Sequence, residues 1–211
     1  MEIVKVNPKK INFKIINKIA GALKKGKVIA YPTDTFYGLG CDATNARAVL
    51  KIYKIKGRPQ DKALPFLVAS RAMAQKYLRF NREAKALAAK FWSGPLSLVL
   101  DFNAKGREVF KHSINKNDFS AGVRVSSNKI AAALVKKIGR PLISTSANPS
   151  GKPAANNMQT VIKYFQSKKF KPDIIMDAGK LPPSLGSTFV DARSGKIKIL
   201  RRGDIKFKVK S

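Results

Sequence analysis

Apolar and polar positions fall in blocks along this chain, and most of its elements can be read from their spacing. The densest signal lies in residues 27–70, KVIAYPTDTFYGLGCDATNARAVLKIYKIKGRPQDKALPFLVAS. Val28, Ile29, Ala30 and Tyr31 form a short apolar run stopped by Pro32, the pattern of a buried strand. A polar turn, Thr33-Asp34-Thr35, follows at the strand end, where open α/β sheets place their ligands. Thr44 or Asn45 can cap the next helix, whose apolar residues Ala46, Val49, Leu50 and Tyr53 recur at i, i+3, i+4 and i+7. Gly57 and Pro59 end that helix, and residues 64–69 read as a second buried strand.

The same reading extends in both directions. Phe13, Ile16, Ala20 and Leu23, widened by Ile15 and Ile19, predict an amphipathic helix closed by Gly26. Helices are expected over 70–78 and 81–92, the second capped by Asn81 with Glu83 in its first turn, and Ser93-Gly94-Pro95 breaks it. Residues 96–102 alternate as a strand. Residues 103–119 read as an irregular, mobile loop carrying the only histidine, His112, as a surface residue. A strand over 121–125, a helix over 130–138 closed by Gly139, and a strand opening at Leu142 come next. A helix over 160–165 and strands near 174–176, 188–190 and 196–200 complete the chain. Helices and strands intermix without a repeat or linker, which predicts one α/β domain over 1–211 with its core at about 12–204.

Composition narrows the function classes. No run approaches the about eighteen apolar residues of a membrane span, so a soluble, cytoplasmic protein without membrane contact is expected. The single cysteine, Cys41, excludes an internal disulfide and a cysteine-cluster metal site, and no protein-held metal is expected. One histidine cannot build a Ser-His-Asp triad, and no paired carboxylates stand out. The formal charge of +31 points to polyanionic partners. The cations are 32 lysines and 11 arginines, spread without an arginine-rich tail, which fits a generally cationic surface as well as a nucleic-acid footprint.

Two nucleotide motifs are decoys. Gly21 to Lys27 matches G-x-x-x-x-G-K, but Val28 stands where a P-loop needs a hydroxyl, and the segment closes a helix where a P-loop opens one. Gly38-Leu39-Gly40 followed by Ala43 mimics a dinucleotide turn, yet its strand ends too early, so these glycines are read as letting the backbone turn under a ligand. Three other features carry chemistry. Lys56 and Arg58 flank Gly57 at a helix terminus, two cations positioned like an anion site. Arg124 lies inside an apolar run, where burial is costly without a partner. With only 12 acids in the chain, a ligand carboxylate or phosphate is the expected partner ahead of a structural one. Residues 144–151, STSANPSG, offer a dense set of small polar groups after a strand.

Taken in order, YPTDTFYGLG, KIKGRPQDKALPFLVA, AGVRV, STSANPSGKPA, GSTFVD and ILRRGDI resemble the YrdC/Sua5 family of L-threonylcarbamoyladenylate synthases, over about residues 15–204. The resemblance implies a twisted, largely open mixed sheet with flanking helices and a concave basic cavity. It implies that threonine, bicarbonate and ATP, with Mg²⁺, give threonylcarbamoyl-AMP and pyrophosphate, the first step toward the t6A base of tRNA. A separate threonylcarbamoyl transferase would receive the product, contact with tRNA is conceivable, and a monomer of the short single-domain form is expected.

Carried onto this chain, the resemblance makes Lys56, Arg58, Ser146 and Asn148 the catalytic set. ATP would be held by these four with Lys62 and Arg201, and threonine by Thr35, Arg124, Ser144 and Ser187. Three positions depart from the pattern: Arg202 replaces the usual proline of the tail, Leu67 stands where long-form relatives often carry histidine, and Ala154 replaces a frequent hydroxyl. The rival readings are an RNA-binding module of the same fold without catalysis and a carbamoyl-transfer enzyme of the hydrogenase-maturation type. Arg124 and the two hydroxyl turns argue against the first. The lack of acylphosphatase-like and zinc-finger segments argues against the second.

Overall fold

The computed structural model describes residues 1–111 and 119–207. The order of elements is β1 (Glu2–Lys5), α1 (Phe13–Lys24), β2 (Ile29–Pro32), β3 (Tyr37–Asp42), α2 (Ala46–Lys56), β4 (Phe66–Leu67), α3 (Arg71–Gln75), α4 (Arg82–Phe91), β5 (Leu96–Asp101) and α5 (Ala104–Phe110). There follow β6 (Ser120–Arg124), α6 (Lys129–Ile138), β7 (Leu142–Ser146), α7 (Met158–Phe165), β8 (Ile174–Asp177), β9 (Thr188–Asp191) and β10 (Lys198–Arg201).

All ten strands join one mixed sheet in the order β1-β8-β2-β3-β7-β4-β6-β5-β9-β10. The two faces bury separate cores, as alternate side chains of a strand must when both faces are covered. On one face Ile29, Tyr31, Leu67 and Leu142 pack under α1 and α6. On the other Ala30, Leu39, Phe66, Leu98 and Val123 pack under α2, α4 and α7. The core beneath α1 and α6 ends at β4 and takes nothing from β5, β6 or β9. Arg124 and Ser97 alternate with Val123, Leu96 and Leu98 of the opposite core, so they project on this less covered face. That gap in the helical layer positions the site.

Local signals explain most boundaries. Asn12, Asn45, Asn81, Asn128 and Asn157 each accept a backbone N–H at the start of a helix, as N-caps do. Gly57 closes α2 in the left-handed region at φ 59°, which costs a glycine nothing.

Two residues of the predicted apolar stripes, Phe13 and Leu50, are exposed, and the course of the chain differs from the sequence reading in three places. YGLGCD forms a strand, β3, paired with β2 and β7, and is no turn under a ligand. Its glycines serve close packing, because a Cβ on Gly40 would lie 2.7 Å from the Tyr31 ring and 2.9 Å from the Ile143 carbonyl. Glu2–Lys5 forms an edge strand too short and too exposed to show a clear alternation. Residues 103–119, read as an irregular loop, contain α5, capped by Asn103 and anchored by buried Phe110. His112 lies outside the described residues.

Candidate functional site

The site begins where β2 runs out. Thr33, Asp34 and Thr35 form the tight turn between β2 and β3, and all three are tied down by hydrogen bonds. Thr33 donates through its hydroxyl to the Phe36 carbonyl at 2.6 Å and accepts the Thr35 amide at 3.2 Å. The Asp34 carboxylate accepts a short bond from Arg124, another from the Ser126 hydroxyl at 2.6 Å, and a longer one from the Ser127 amide at 3.4 Å. Burial alone would raise the Asp34 carboxyl, but the Arg124 charge and the Ser126 and Arg124 hydrogen bonds outweigh it and hold the group below its ordinary value. Arg124 therefore has a protein partner. This corrects the expectation that a ligand anion would be the group answering its charge. A guanidinium carries five N–H donors, so its pairing with Asp34 leaves donors for a ligand.

A cavity of about 150 Å³ opens beside this turn. Its wall brings together six of the sequence-predicted residues: Thr35, Arg124, Ser144, Ser146, Ser187 and Arg201. They come from the β2–β3 turn, the end of β6, the end of β7, the start of β9 and the end of β10. Phe36, Phe66 and Phe189 supply an apolar part of the wall, and Ala154 leaves it without the hydroxyl expected there. The volume is well below the ~300–1,000 Å³ of pockets for drug-sized ligands. It suits a small polar molecule and leaves anything larger to extend outside.

The remaining four residues lie off the cavity wall. The Lys56 ammonium is buried, 4% exposed, beneath the Ser146–Asn148 turn. It donates to the Ser146 carbonyl at 2.7 Å, the Asn148 carbonyl at 2.8 Å and the Asn148 side-chain oxygen at 3.4 Å. Burial pushes this amine down from 10.5 to about 8, and the neighbouring Arg58 charge pushes in the same direction. Lys56 is thus a strut joining the end of α2 to the turn after β7, with its three protons already engaged. Asn148 is partly committed, since one of its two side-chain N–H groups donates to the Lys152 carbonyl. Arg58 holds the loop after α2, donating to the Lys62 and Ala63 carbonyls at 3.3 and 3.1 Å. The Lys62 side chain is exposed.

The last wall is a strap, residues 184–187, without regular structure. Asp204 accepts the Ser184 hydroxyl at 2.6 Å and the Leu185 amide at 2.7 Å. Arg201 donates to the Ser187 carbonyl at 2.8 Å and hydroxyl at 3.0 Å, and its guanidinium lies 4.6 Å from the Phe189 ring centroid. Arg202, where the resemblance has proline, is exposed, and the adjoining Gly203 keeps the tail pinned through a 3.0 Å bond from its amide to Thr188. Leu67 is 1% exposed in the core, as its apolar side chain requires.

Several groups at the site were not singled out from sequence. Tyr31 donates to the Ser144 hydroxyl at 2.7 Å, and Ser97 donates to the Ser187 hydroxyl at 3.2 Å. Ser97 had a readable signal, a polar residue inside the apolar run LSLVL, of the same kind that marked Arg124. Tyr31 had none, because a tyrosine in a buried strand looks like core. Among the described residues no cluster of three or more His, Cys, Asp or Glu could hold a metal, and no helix is long and apolar enough to cross a membrane.

Comparison with known proteins agrees with this arrangement. A family model named Sua5_yciO_yrdC, described as telomere recombination, matches residues 21–203. The threonylcarbamoyl-AMP synthase of Pyrococcus abyssi is 35% identical over 187 residues, covering 88% of this chain and 53% of that protein. The protein of the same name from Halorhodospira halophila is 34% identical over 154 residues, covering 72% of this chain and 78% of its own. The crystal structure of P. abyssi Sua5 complexed with L-threonine superposes with a TM-score of 0.85 at 33% identity, over 96% of this chain and 58% of that one. The chain thus spans little more than half the length of the P. abyssi protein. With a match across most of its residues, the same twisted sheet and a donor-lined cavity on the open face, the chain belongs to the Sua5/YciO/YrdC family.

Proposed function

We propose that this chain is a nucleotidyltransferase that forms L-threonylcarbamoyl-AMP and pyrophosphate from L-threonine, bicarbonate and ATP, the first step of t6A synthesis in tRNA. The observation that carries it is the convergence in one cavity of Arg124, Thr35, Ser144 and Ser187, with the Lys56-braced Ser146–Asn148 turn at its edge. This is an amino-acid-sized pocket abutting a cationic rim. The name borne by two relatives and the threonine held by a similar structure support the same reading.

In this scheme the Arg124 guanidinium, already oriented by Asp34, takes the threonine carboxylate together with the Ser144 and Ser187 hydroxyls, and Thr35 meets the amino group. Bicarbonate takes up a proton and loses water to give CO₂, and the amine adds CO₂ and releases a proton to give a carbamate. A carbamate oxygen then attacks the α-phosphorus in line, and the bond to the pyrophosphate oxygen breaks. No protein nucleophile is needed, so the rate gain comes from positioning and from fixed positive charge.

Lys56 and Arg58 supply that charge at the Ser146–Asn148 turn. Direct contact between Lys56 and a phosphate requires it to release one of its three oxygen partners. Ser146 and Asn148 shape the turn that meets the nucleotide and carbamoyl oxygens. Lys62 and Arg201 close on the nucleotide from the loops. Mg²⁺ enters as part of the ATP substrate, carried by its phosphates. Contact with tRNA, hand-off of the labile product to a separate threonylcarbamoyl transferase, a monomeric state and a cytoplasmic location belong to the same proposal. The charge of +31 supports the tRNA contact, and a steep fall of tRNA binding with salt is the expected signature.

The test of the reaction is pyrophosphate release from ATP with each substrate omitted in turn. Release should require both threonine and bicarbonate. Release that proceeds equally without threonine contradicts the proposal.

A further inference from the structure

The hydroxyls lining the cavity are connected to groups behind them in a way that decides which can donate. A hydroxyl has one proton and two lone pairs. Thr33 spends its proton on the Phe36 carbonyl at 2.6 Å. The 3.2 Å contact between the Thr33 and Thr35 hydroxyls must then run from Thr35 to Thr33. Thr35 is left facing the cavity with lone pairs only. Ser187 is the opposite case. Its oxygen accepts from the Ser97 hydroxyl at 3.2 Å and from Arg201 at 3.0 Å, so both lone pairs are taken and only its proton is available.

Ser144 has one of its two lone pairs occupied in the same way. It accepts from the Tyr31 hydroxyl at 2.7 Å. Tyr31 is fully buried, and among the described residues Ser144 is the partner that takes its proton. Burial pushes the Tyr31 phenol up to about 12, so it remains a donor throughout the neutral range. Ser144 accordingly keeps its own proton for the cavity, on the side where Arg124 projects.

We propose that Tyr31, Ser97 and Thr33 set the hydrogen-bond polarity of the cavity, making Ser144 and Ser187 donors to a ligand carboxylate beside Arg124 and Thr35 the acceptor for the ligand's N–H or O–H group. The inference rests on the amino-acid half of the function proposed above and adds positioning residues to it. An α-amino acid satisfies this pattern in one orientation. Its alcohol analogue, with CH₂OH in place of the carboxylate, offers the donor end one neutral oxygen where the acid offers two charged ones. An acceptor at Thr35 also suits the substrate through the reaction, since the nitrogen carries N–H groups both as an amine and as a carbamate.

The experiment is calorimetric binding of L-threonine and of L-threoninol to the full chain and to Tyr31→Phe, Ser144→Ala, their double variant and Ser97→Ala, with thermal melting to show that each is folded. Tyr31→Phe should weaken threonine about tenfold, the cost of a misdirected bond to a charged group, and threoninol less than about twofold. In the Ser144→Ala background Tyr31→Phe should add less than about twofold, because the two act through one hydroxyl. Ser97→Ala makes the same prediction through Ser187, so loss of fold in one variant still leaves the other to decide. Equal weakening of both ligands, or additive effects of Tyr31 and Ser144, overturns the inference while leaving the substrate reading intact. A wild-type chain that binds no L-threonine overturns the substrate reading and this inference with it.

Discussion

The candidate site, the cavity together with the loops beside it, has two halves built in different ways. The half carrying Thr35, Arg124, Ser144 and Ser187 stands on strand ends, and each of these side chains is held by another side chain: Thr33, Asp34, Tyr31 and Ser97. The half carrying Arg58, Lys62 and Arg201 is on loops or the last strand. Its guanidiniums rest mainly on backbone carbonyls at Lys62, Ala63 and Ser187, with one further bond to the Ser187 hydroxyl. The first half is preorganised, with its hydrogen-bond directions set before a ligand arrives, which lowers the cost of binding a small molecule selectively. The second half can exchange a carbonyl for a phosphate oxygen, a stronger acceptor for a cation. Lys56 is intermediate, a cation of the proposed nucleotide side held as tightly as the proposed amino-acid side.

The largest effect should come from the buried pair. Arg124→Ala strands the Asp34 carboxylate, and urea denaturation should show a loss of about 3–5 kcal/mol along with loss of threonine binding. Lys56→Ala should follow. It removes the ammonium that bridges α2 and the Ser146–Asn148 turn, and pyrophosphate release should fall about hundredfold with threonine binding nearly intact. A Lys56→Ala chain that loses threonine binding first would erase the distinction between the halves.

The same lysine should make the proposed nucleotide half sensitive to base. Its amine is lowered to about 8, so the charged form prevails below that value and is lost as pH rises through it. The kcat/KM for ATP, which reports the free protein, should therefore fall about tenfold between pH 7 and pH 9, while threonine affinity stays level over that range. A flat profile would mean that the Lys56 charge does not help the nucleotide. The smallest effect belongs to Lys62→Ala, an exposed cation in a high-dielectric setting, where KM for ATP should rise about two- to threefold.

The two halves were also unequally legible in the sequence. Arg124 could be found because a charge inside an apolar strand needs an explanation, and Thr35 because it ends a strand in a polar turn. Lys56 was visible as a cation at a helix terminus. The sequence could not show that its protons are taken by carbonyls, because backbone acceptors leave no trace in residue type. Asp34 was seen as turn chemistry and not as the partner of Arg124, since the two are 90 positions apart and only the fold joins them. The β3 strand was missed because Gly38 and Gly40 look like turn residues until the Tyr31 ring is placed over them. The caps at Asn45 and Asn81 and both decoy motifs were readable, as they depend on neighbours a few positions away.

The proposed activity requires a small, donor-lined pocket and a cationic rim to act together on one amino acid and one nucleotide. It is tested most directly by mass spectrometry of the adenylate made from ATP, L-threonine and carbon-labelled bicarbonate. The expected result is a single product carrying threonine, AMP and one labelled carbon between them. A threonyl adenylate without the label, or AMP formed with no threonine attached, would contradict it.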